Sequence, residues 1–496
     1  MWRIWHRLRV SIPRIAVLAA GKAGVSSVGC VGLSLDTERS GRIYLWGDRS
    51  ALPGGRNHPL FCDARQWHCI TFGPCFGAAV NRYGAVYIWG QASDGQFVEP
   101  FEAGVIGAVD CWCSANDVYM LTRNGEVCVL RNIMATLNGI CGGEDVNLMG
   151  SESIGDVGSG NSRDDASANA MHSAVQNKMK PTVEYIKGFG SKHIVKMSVG
   201  NSHAAFLASD GTLYCTGDNS FGQCGTRPKN IKSDMTFITF PSKSDDVEDI
   251  VDLHRVEFKD TDTEIVDVVC GGRHTCCLDS KGNVFTFGDD SGVQLLLGDT
   301  RGRTILELDK YRDFNRKHTP NSLSYTKYTS KDRHMQFNPI PVNLVGKLRE
   351  YKHYLSGASI SLAAGDDFTI VAATTGAESR EGTTQLIASG GNRFGQCATV
   401  DVRMHRPKVV NLQGTLTLDG LVCGASHCLA AIKDGKLLGW GSNQHYQLGF
   451  ERRCNITSPT PVQVGEHEPM GNPPEGSSGE IRFVRCAFNN TAVIIA

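Results

Sequence analysis

The sequence predicts an all-β fold in which seven copies of one strand-turn-strand unit close into a ring. Three observations support this fold: glycine is abundant, a hairpin pattern recurs along the chain, and the two halves of that pattern are offset. Glycine accounts for 56 of 496 residues and proline for 17, which is about 11% against a usual glycine level of about 7%. Abundant glycine with ordinary proline indicates many tight turns between short strands.

The hairpin pattern is clearest in three segments, at residues 199–217, 269–288 and 422–441. Each contains a glycine, a histidine three residues later, an apolar run, an Asp-Gly or Lys-Gly turn, and a second apolar run that ends in glycine. The apolar runs have the length of strands, and the turns supply the positive φ that a tight hairpin needs. A glycine-rich loop often follows, such as NSFGQCG at 219–225.

The two halves of the pattern occur seven times each. The first half is predicted near residues 69–80, 111–121, 197–207, 268–278, 361–373, 421–432 and 484–495. The second half is predicted at 43–47, 86–90, 127–130, 213–217, 284–288, 386–390 and 437–441. Because the pattern begins with a second half and ends with a first half, we expect the last strands to complete the sheet begun by residues 42–47. Such closure removes the exposed edges of a linear array.

The combination of CG-x-x-H, an apolar run, a DG turn, WG and N-x-F-G-Q-x-G resembles the repeat of the regulator of chromosome condensation family, over about residues 36–496. The resemblance implies a seven-bladed β-propeller that is closed by a blade shared between the two ends of the chain. We therefore expect one propeller domain at 36–496, with long insertions at about 133–180, 228–264 and 299–354.

Residues 1–35 are predicted to be a mitochondrial targeting segment. Five basic residues and no acidic residue precede Asp36, and apolar residues are interleaved with the arginines, as in transit peptides. A cytoplasmic or nuclear location is the alternative. The net charge of −1 excludes a global electrostatic attraction to nucleic acid or membrane. The chain has no run of 18 apolar residues, so we expect no membrane span.

Residues that recur between repeats are interpreted as structural. His203, His274 and His427 occupy the same place in different repeats, so a ring would hold them in separate environments, and we expect each to cap its hairpin. Cysteines at 270, 423 and 486 are interpreted as small buried groups, and tryptophans at 46, 89 and 440 as packing residues. Gly222 and Gly395 are expected to permit a tight loop path.

The sequence contains no zinc-finger spacing, no P-loop and no nucleophile or paired-carboxylate motif. We therefore predict no catalytic residue, no metal and no cofactor, and expect a protein that is not an enzyme. A hydrolytic or redox enzyme remains an alternative, because propellers build sites from scattered loops.

The third insertion is strongly basic. Residues 301–353 contain twelve Lys or Arg and five acidic residues, a local charge of +7, with aromatic residues interleaved. Cations for phosphates and aromatic rings for base stacking suit contact with RNA, whereas an ordinary loop packed along the rim is the alternative. The predicted RNA or partner contacts are Arg312, Arg316, Lys317, Tyr325, Lys327, Tyr328, Lys331 and Arg333.

These observations favour a non-enzymatic interaction scaffold with protein partners, in a multi-subunit complex. Together the targeting segment and the basic insertion point to a mitochondrial ribosome or ribosome-assembly ribonucleoprotein. The family resemblance also implies a second hypothesis, guanine-nucleotide exchange on a small GTPase. Chromatin binding is a third hypothesis, which the near-neutral charge and the targeting segment disfavour.

Overall fold

The structure is a computed structural model that describes residues 42–53, 61, 63, 66–141, 181–227, 250–297, 335–342, 358–376, 382–402, 404, 406–412, 416–433, 435–462 and 481–495. These residues form seven antiparallel sheets, each of which is one blade of a ring. The first strand of every blade contacts the first strands of the neighbouring blades, so these strands line a central channel. The seven-bladed β-propeller predicted from the sequence is confirmed.

The first half of the ring follows in chain order after a single strand, β1 (Arg42–Gly47), which belongs to the last blade. Blade I contains β2 (Trp67–Phe72), β3 (Phe76–Asn81), β4 (Val86–Gln91) and β5 (Phe97–Glu102). Blade II contains β6 (Ala108–Cys113), β7 (Val118–Thr122), β8 (Val127–Leu130), a helix α1 (Ile133–Cys141), and β9 (Val183–Tyr185). Blade III contains β10 (Ile194–Val199), β11 (His203–Ala208), β12 (Leu213–Asp218) and β13 (Ile250–Arg255).

The second half follows the same plan. Blade IV contains β14 (Ile265–Cys270), β15 (His274–Asp279), β16 (Val284–Asp289) and β17 (Met335–Pro341). Blade V contains β18 (Ser359–Ala364), β19 (Phe368–Thr375), β20 (Thr383–Gly390) and β21 (Lys408–Asn411). Blade VI contains β22 (Leu418–Cys423), β23 (His427–Ile432), β24 (Leu437–Ser442) and β25 (Asn455–Pro461). Blade VII contains β26 (Ile481–Ala487), β27 (Asn490–Ile495) and β1.

Closure of the ring is carried by blade VII. β1 pairs with β27 along its whole length, from Arg42 opposite Ile495 to Gly47 opposite Asn490. The predicted completion of the first sheet by the last strands is therefore confirmed. Within the described part of the chain, no helix is long and apolar enough to cross a membrane.

The structure differs from the sequence prediction in strand number. Each predicted first half is two strands joined by a short turn, so that residues 69–80 hold most of β2 and β3. Each of blades I to VI also gains a fourth strand. Strands β13 and β17 lie within the predicted insertions at 228–264 and 299–354, and α1 begins the one at 133–180.

The two ends of the propeller are different. We call loop face the end that carries the turns between first and second strands and the loops between third and fourth strands. We call turn face the opposite end, which carries the tight turns between second and third strands. The predicted turn glycines are on the turn face, and Gly211, Gly282 and Gly435 have φ of +78°, +84° and +84°, values that favour glycine.

The glycine-rich loops of the repeat are held by two buried side chains. Asn219 Oδ1 accepts a hydrogen bond from Cys224 N at 2.9 Å, and Gln223 Oε1 accepts one from Phe221 N at 2.8 Å. The same two bonds recur at residues 392–397 and 443–448. Gly222 and Gly395 have φ of +81° and +83°, which confirms the predicted tight path.

Neighbouring blades are joined by a repeated histidine–threonine hydrogen bond. His203 Nε2 of blade III lies 2.9 Å from Thr275 Oγ1 of blade IV, and Thr275 Oγ1 donates to Gln223 O of blade III at 2.8 Å. The same contact joins His274 to Thr369 at 2.8 Å and His427 to Thr491 at 2.9 Å. The histidines are structural, as expected, but each bonds to the next blade rather than only capping its own hairpin.

The threonine fixes the tautomer of the histidine. Because the hydroxyl groups of Thr275 and Thr491 donate their protons to loop carbonyls, each must accept from the Nε2–H group of its histidine. The other nitrogen, Nδ1, is buried without a partner among the described residues in all three histidines. Burial lowers the pKa of His203 to about 4 and the pKa values of His274 and His427 to about 3.

Two of the interfaces that lack the histidine use a different donor. Phe368 occupies the histidine position of blade V, and the facing residue of blade VI is Cys428. There Trp440 Nε1 donates to Gln396 O of blade V at 2.9 Å. At the interface of blades VII and I, Asn490 occupies the histidine position and Gly77 the threonine position, and Trp89 Nε1 donates to Ala51 O at 2.8 Å. Tryptophan thus replaces the threonine donor at these two interfaces, whereas blades II and III carry Val118 and Ala204 at the threonine position.

Removal of the threonine hydroxyl should destabilise the ring. In Thr275→Val, the buried His203 Nε2–H and the Gln223 carbonyl both lose their partner, and we expect a loss of about 3 kcal/mol in the free energy of unfolding. The control is Thr261→Val at an exposed position, which should change it by less than about 0.5 kcal/mol. Urea denaturation measures both, and equal midpoints for the two variants would contradict the structural role of the bond.

Acid should destabilise the propeller through the three histidines. The pKa values of these histidines in the folded state lie below the unfolded value of 6.5. Between the two pKa values, the unfolded state therefore binds protons that the folded state does not bind. The stability that the neutral histidines contribute is fully present above pH 6.5 and is lost as the pH falls toward 4. His274→Phe should reduce the slope of unfolding free energy against pH near pH 5 by about one proton, or about 1.4 kcal/mol per pH unit. An unchanged slope would show that His274 is protonated in the fold.

Candidate functional site

The eight residues predicted as RNA or partner contacts, from Arg312 to Arg333, lie outside the described residues. The segment that contains them leaves the described chain after residue 297 and returns at β17 in blade IV. Both ends of the segment belong to a loop between a third and a fourth strand, so they are on the loop face. The segments between 141 and 181 and between 227 and 250 also start and end on this face.

The described part of the loop face carries exposed apolar residues in blades V and VI. Val400 and Val402 are 77% and 64% exposed in the loop after β20, and Tyr446 is 42% exposed in the loop after β24. The two loops belong to adjacent blades, and a Cβ on Gly395 of the first would lie 2.7 Å from Thr457 in β25 of the second blade. Exposed apolar residues that occur together on a surface mark an interaction site more often than scattered ones do.

Arginines lie over aromatic rings on the same loops. The guanidinium of Arg393 is 5.7 Å from the ring centre of Phe394, and that of Arg453 is 5.1 Å from the ring centre of Tyr446. Both arginines are exposed. We call loop-face patch a group of six residues on blades V and VI, of which Phe394 is half-buried and the others are exposed: Arg393, Phe394, Val400, Val402, Tyr446 and Arg453.

A second charged group lies nearer the channel mouth, between blades III and V. Arg273 Nη2 contacts the buried Asp289 Oδ2 at 2.9 Å, and its guanidinium is 4.3 Å from the ring centre of Phe221. Asp366 and Asp367 are on the next blade. Burial raises the pKa of both carboxyl groups, and for Asp366 the charge of Asp367 raises it further. This group is acidic, whereas the loop-face patch carries exposed arginines.

The backbone beneath these side chains is fixed by hydrogen bonds between blades. The turns between first and second strands bond to one another around the channel mouth, with Ala115 N donating to Asn201 O, Asp366 N to Ala425 O, and Ala425 N to Phe488 O. In the loops outside them, the buried Asn and Gln residues hold the chain. Exposed residues such as Arg393, His445 and Tyr446 lie between those Asn and Gln residues, on a backbone that hydrogen bonds hold in place.

The central channel contains a polar cluster that is paired internally. Arg485 of β26 donates to Cys111 O at 2.5 Å and to Asp110 Oδ1 at 3.0 Å, both in β6. Its guanidinium lies between the rings of Trp112 and Phe483, at 4.2 and 5.1 Å. Because β2 lies between β26 and β6, this ion pair joins blades VII and II across blade I. We interpret the cluster as a brace for the closing blade.

Other chemistry-bearing groups are structural in their surroundings. Cys270 and Cys486 are buried, and burial raises the pKa values of both thiols above the ordinary value. Trp89 and Trp440 are fully buried between blades, as predicted for packing residues. In the residues that the structure describes, no group of three or more His, Cys, Asp or Glu side chains is arranged to hold a metal ion.

Sequence reasoning did not find the loop-face patch. A signal was present, because the variable positions between the loop Asn and Gln hold Arg393 and Phe394 in one repeat and His445 and Tyr446 in another. The pattern of the loop does not show which of its residues point outward, so the signal was not sufficient.

Two family models match the chain, and both describe the regulator of chromosome condensation (RCC1) repeat. One matches residues 194–223, 265–292 and 420–447, and the other matches 210–278 and 434–474. The matches fall in blades III, IV and VI and extend to neighbouring segments. The protein is therefore a seven-bladed β-propeller with RCC1 repeats.

Curated relatives share the repeat region. The chain is 24% identical over 281 residues to human probable E3 ubiquitin-protein ligase HERC3. The aligned region covers 56% of this chain and 20% of that protein. It is 25% identical over 285 residues to the mouse RCC1-like G exchanging factor-like protein. The aligned region covers 52% of this chain and 55% of that protein. The chain thus spans about a fifth of the first relative and about half of the second.

Solved structures share the fold over almost the whole chain. Prp20p from Saccharomyces cerevisiae, described with its binding properties to Gsp1p and histones, aligns with a TM-score of 0.56 at 14% identity, over 93% of this chain and 92% of that one. Human WBSCR16 aligns with a TM-score of 0.57 at 14% identity, over 92% of this chain and 99% of that one. At this identity the likeness concerns the fold alone.

Loss of the channel brace should destabilise the protein more than loss of a surface ion pair. In Arg485→Met, the partly buried Asp110 carboxylate loses its cation, and we expect the free energy of unfolding to fall by about 3 kcal/mol. The control is Lys192→Met, which breaks an exposed pair with Asp210 and should cost less than about 1 kcal/mol. Denaturant unfolding compares the two, and an equal effect would contradict the brace.

Proposed function

We propose that this protein is a non-enzymatic interaction scaffold that binds a protein partner through its loop face. The observation that carries the proposal is the loop-face patch, in which exposed arginine–aromatic pairs and valines project from loops fixed by buried Asn and Gln residues. Arginine and aromatic side chains are enriched at the centres of protein interfaces.

The rigidity of the support favours binding. Immobilising a long side chain or a loop on association costs free energy, and a preorganised surface avoids part of that cost. Here the loop backbone is already held by Asn392, Gln396, Asn443 and Gln447, which are buried. The outward residues thus supply contact area at a low cost in backbone ordering.

A finer form of the proposal is a place in a mitochondrial ribosome or ribosome-assembly complex. It is supported by the basic composition of residues 1–35 and by the cations and aromatic residues of 301–353, of which the part before β17 starts and ends on the loop face. Imaging of a fusion with a free N-terminus should give a mitochondrial signal, and the protein should co-purify with tagged mitochondrial ribosome subunits. A nuclear signal, or no co-purification at low salt, would contradict this finer form.

Guanine-nucleotide exchange on a small GTPase is the second candidate. It is supported by the name of one relative, the RCC1-like G exchanging factor-like protein, and by the solved structure described with binding to Gsp1p. Nucleotide release from a panel of small GTPases tests it directly. Accelerated release from one member would support exchange, and unchanged release across the panel would contradict it.

Substitution of the loop-face patch should remove partners without unfolding the protein. In Tyr446→Gly with Arg453→Ala, the first change restores the glycine found at the matching place of other loops, where Tyr446 has φ of +63°, so we expect little strain. Affinity purification of the full chain with mass spectrometry should show at least a tenfold loss of the specific partner, about 1.4 kcal/mol or more in binding.

The turn face offers a matched control. Arg82 lies 4.6 Å from the ring centre of Tyr83, which is 63% exposed, so Arg82→Ala with Tyr83→Ala removes the same chemistry from the opposite end. The control should keep the partner. Retention of the partner by the loop-face variant, or equal loss in both variants, would contradict the proposed binding face.

A further inference from the structure

Two cysteines face each other at the loop-face end of blade VI. Cys423 is the last residue of β22, Cys428 is the second residue of β23, and the two are directly opposite in the strand register. Their sulfur atoms are 3.2 Å apart. Cys423 is half-buried, whereas Cys428 is fully buried.

The fold builds this contact, and only its occupants differ between blades. In blade IV the matching residues are Cys270 and Thr275, with Sγ and Oγ1 at 3.9 Å, and in blade VII they are Cys486 and Thr491 at 3.6 Å. The other described pairs at this position contain one cysteine or none. Blade VI thus places a second thiol where neighbouring repeats place a hydroxyl.

The backbone geometry suits a bond between the two sulfurs. Gly424 N donates to His427 O at 2.9 Å in the turn, so the next pair, Cys423 with Cys428, is a non-hydrogen-bonded pair of the ladder. Such pairs have Cα atoms about 4.5 Å apart, which is within the range of about 4.4–6.8 Å for disulfides. The cross-link therefore needs little movement of the backbone.

We propose that Cys423 and Cys428 are a site of reversible oxidation, which forms an intra-blade disulfide with a peroxide as oxidant. Cys423 attacks one peroxide oxygen, the O–O bond breaks, and the cysteine becomes a sulfenic acid while one water is released. Cys428 then attacks that sulfur, the S–O bond breaks, and a second water leaves. The two thiols lose two electrons and two protons in total, and hydrogen peroxide is reduced to two molecules of water.

The order of the steps follows from exposure. Cys423 is the less buried of the two residues, so it meets the oxidant first, and the fully buried Cys428 is the resolving thiol. Cys69 and Cys111 provide a contrast. Their sulfur atoms are 3.6 Å apart, but both are fully buried and lie in different blades. The same molecule therefore contains a second pair of close thiols, one that is buried away from solvent.

The experiment uses the native full chain and graded hydrogen peroxide, followed by unfolding, alkylation and mass spectrometry. Cys423 and Cys428 are the two cysteines of one tryptic peptide, residues 409–433. We expect this peptide to lose two hydrogen atoms at peroxide levels that leave Cys69 and Cys111 alkylated, and dithiothreitol to reverse the change. Oxidation of Cys69 and Cys111 at the same or a lower level would overturn the proposal, as would a 409–433 peptide that stays a dithiol or advances to sulfinic acid.

A variant separates the two roles. Cys428→Thr installs the residue that blades IV and VII carry at this place, so we expect the fold to persist. In this variant dimedone should trap a sulfenic acid on Cys423, with at least a tenfold stronger adduct than in the native chain. Equal trapping in the two proteins would show that Cys428 does not resolve the oxidised sulfur.

Discussion

The hydrogen bond from a histidine of one blade, through a threonine of the next, to a loop carbonyl of the first holds neighbouring sheets in one orientation. A propeller blade alone cannot bury its two faces, so the ring exists only when every interface is satisfied. At two of the three histidine interfaces, one threonine hydroxyl satisfies two buried polar groups at once. The loops of blades III and VI depend on this contact, because the loop that supplies the carbonyl is also part of the loop face.

The histidine and threonine positions change together within the chain. Where histidine is present, the next blade supplies threonine; where it is replaced by Phe368 or Asn490, the next blade supplies Cys428 or Gly77 and a tryptophan donates instead. Asn490 retains two buried polar atoms without a partner among the described residues, so the polar groups at the interface of blades VII and I are incompletely satisfied. The brace from Arg485 to Asp110 spans this interface, and it adds a charged contact where the repeated bond is missing.

Much of the fold could be predicted from the sequence, because the turn glycines and apolar runs recur at a readable spacing. The division of each first half into two strands could not, since the turns before His203 and His274 interrupt the apolar runs too briefly to be separated from them. The fourth strands could not be placed either, because β13 and β17 follow long polar segments and present exposed residues such as Ile250. The direction in which the side chains of Arg393 and Tyr446 point depends on which loop atoms the Asn and Gln side chains bind. These hydrogen bonds become visible only when the blades are packed side by side.

Five of the seven interfaces are of two kinds, three with a histidine–threonine bond and two with a tryptophan donor. At these interfaces the threonine has its partner only behind a histidine, and the tryptophan donor needs a loop carbonyl that no threonine occupies. Blades copied or exchanged as whole sheets would therefore meet the wrong neighbours, whereas units cut through the middle of a sheet would carry their matched edges with them. In such a ring the unit that must be kept together is the interface between two neighbouring sheets. Matched interfaces allow a propeller whose strands are alike to keep one asymmetric face.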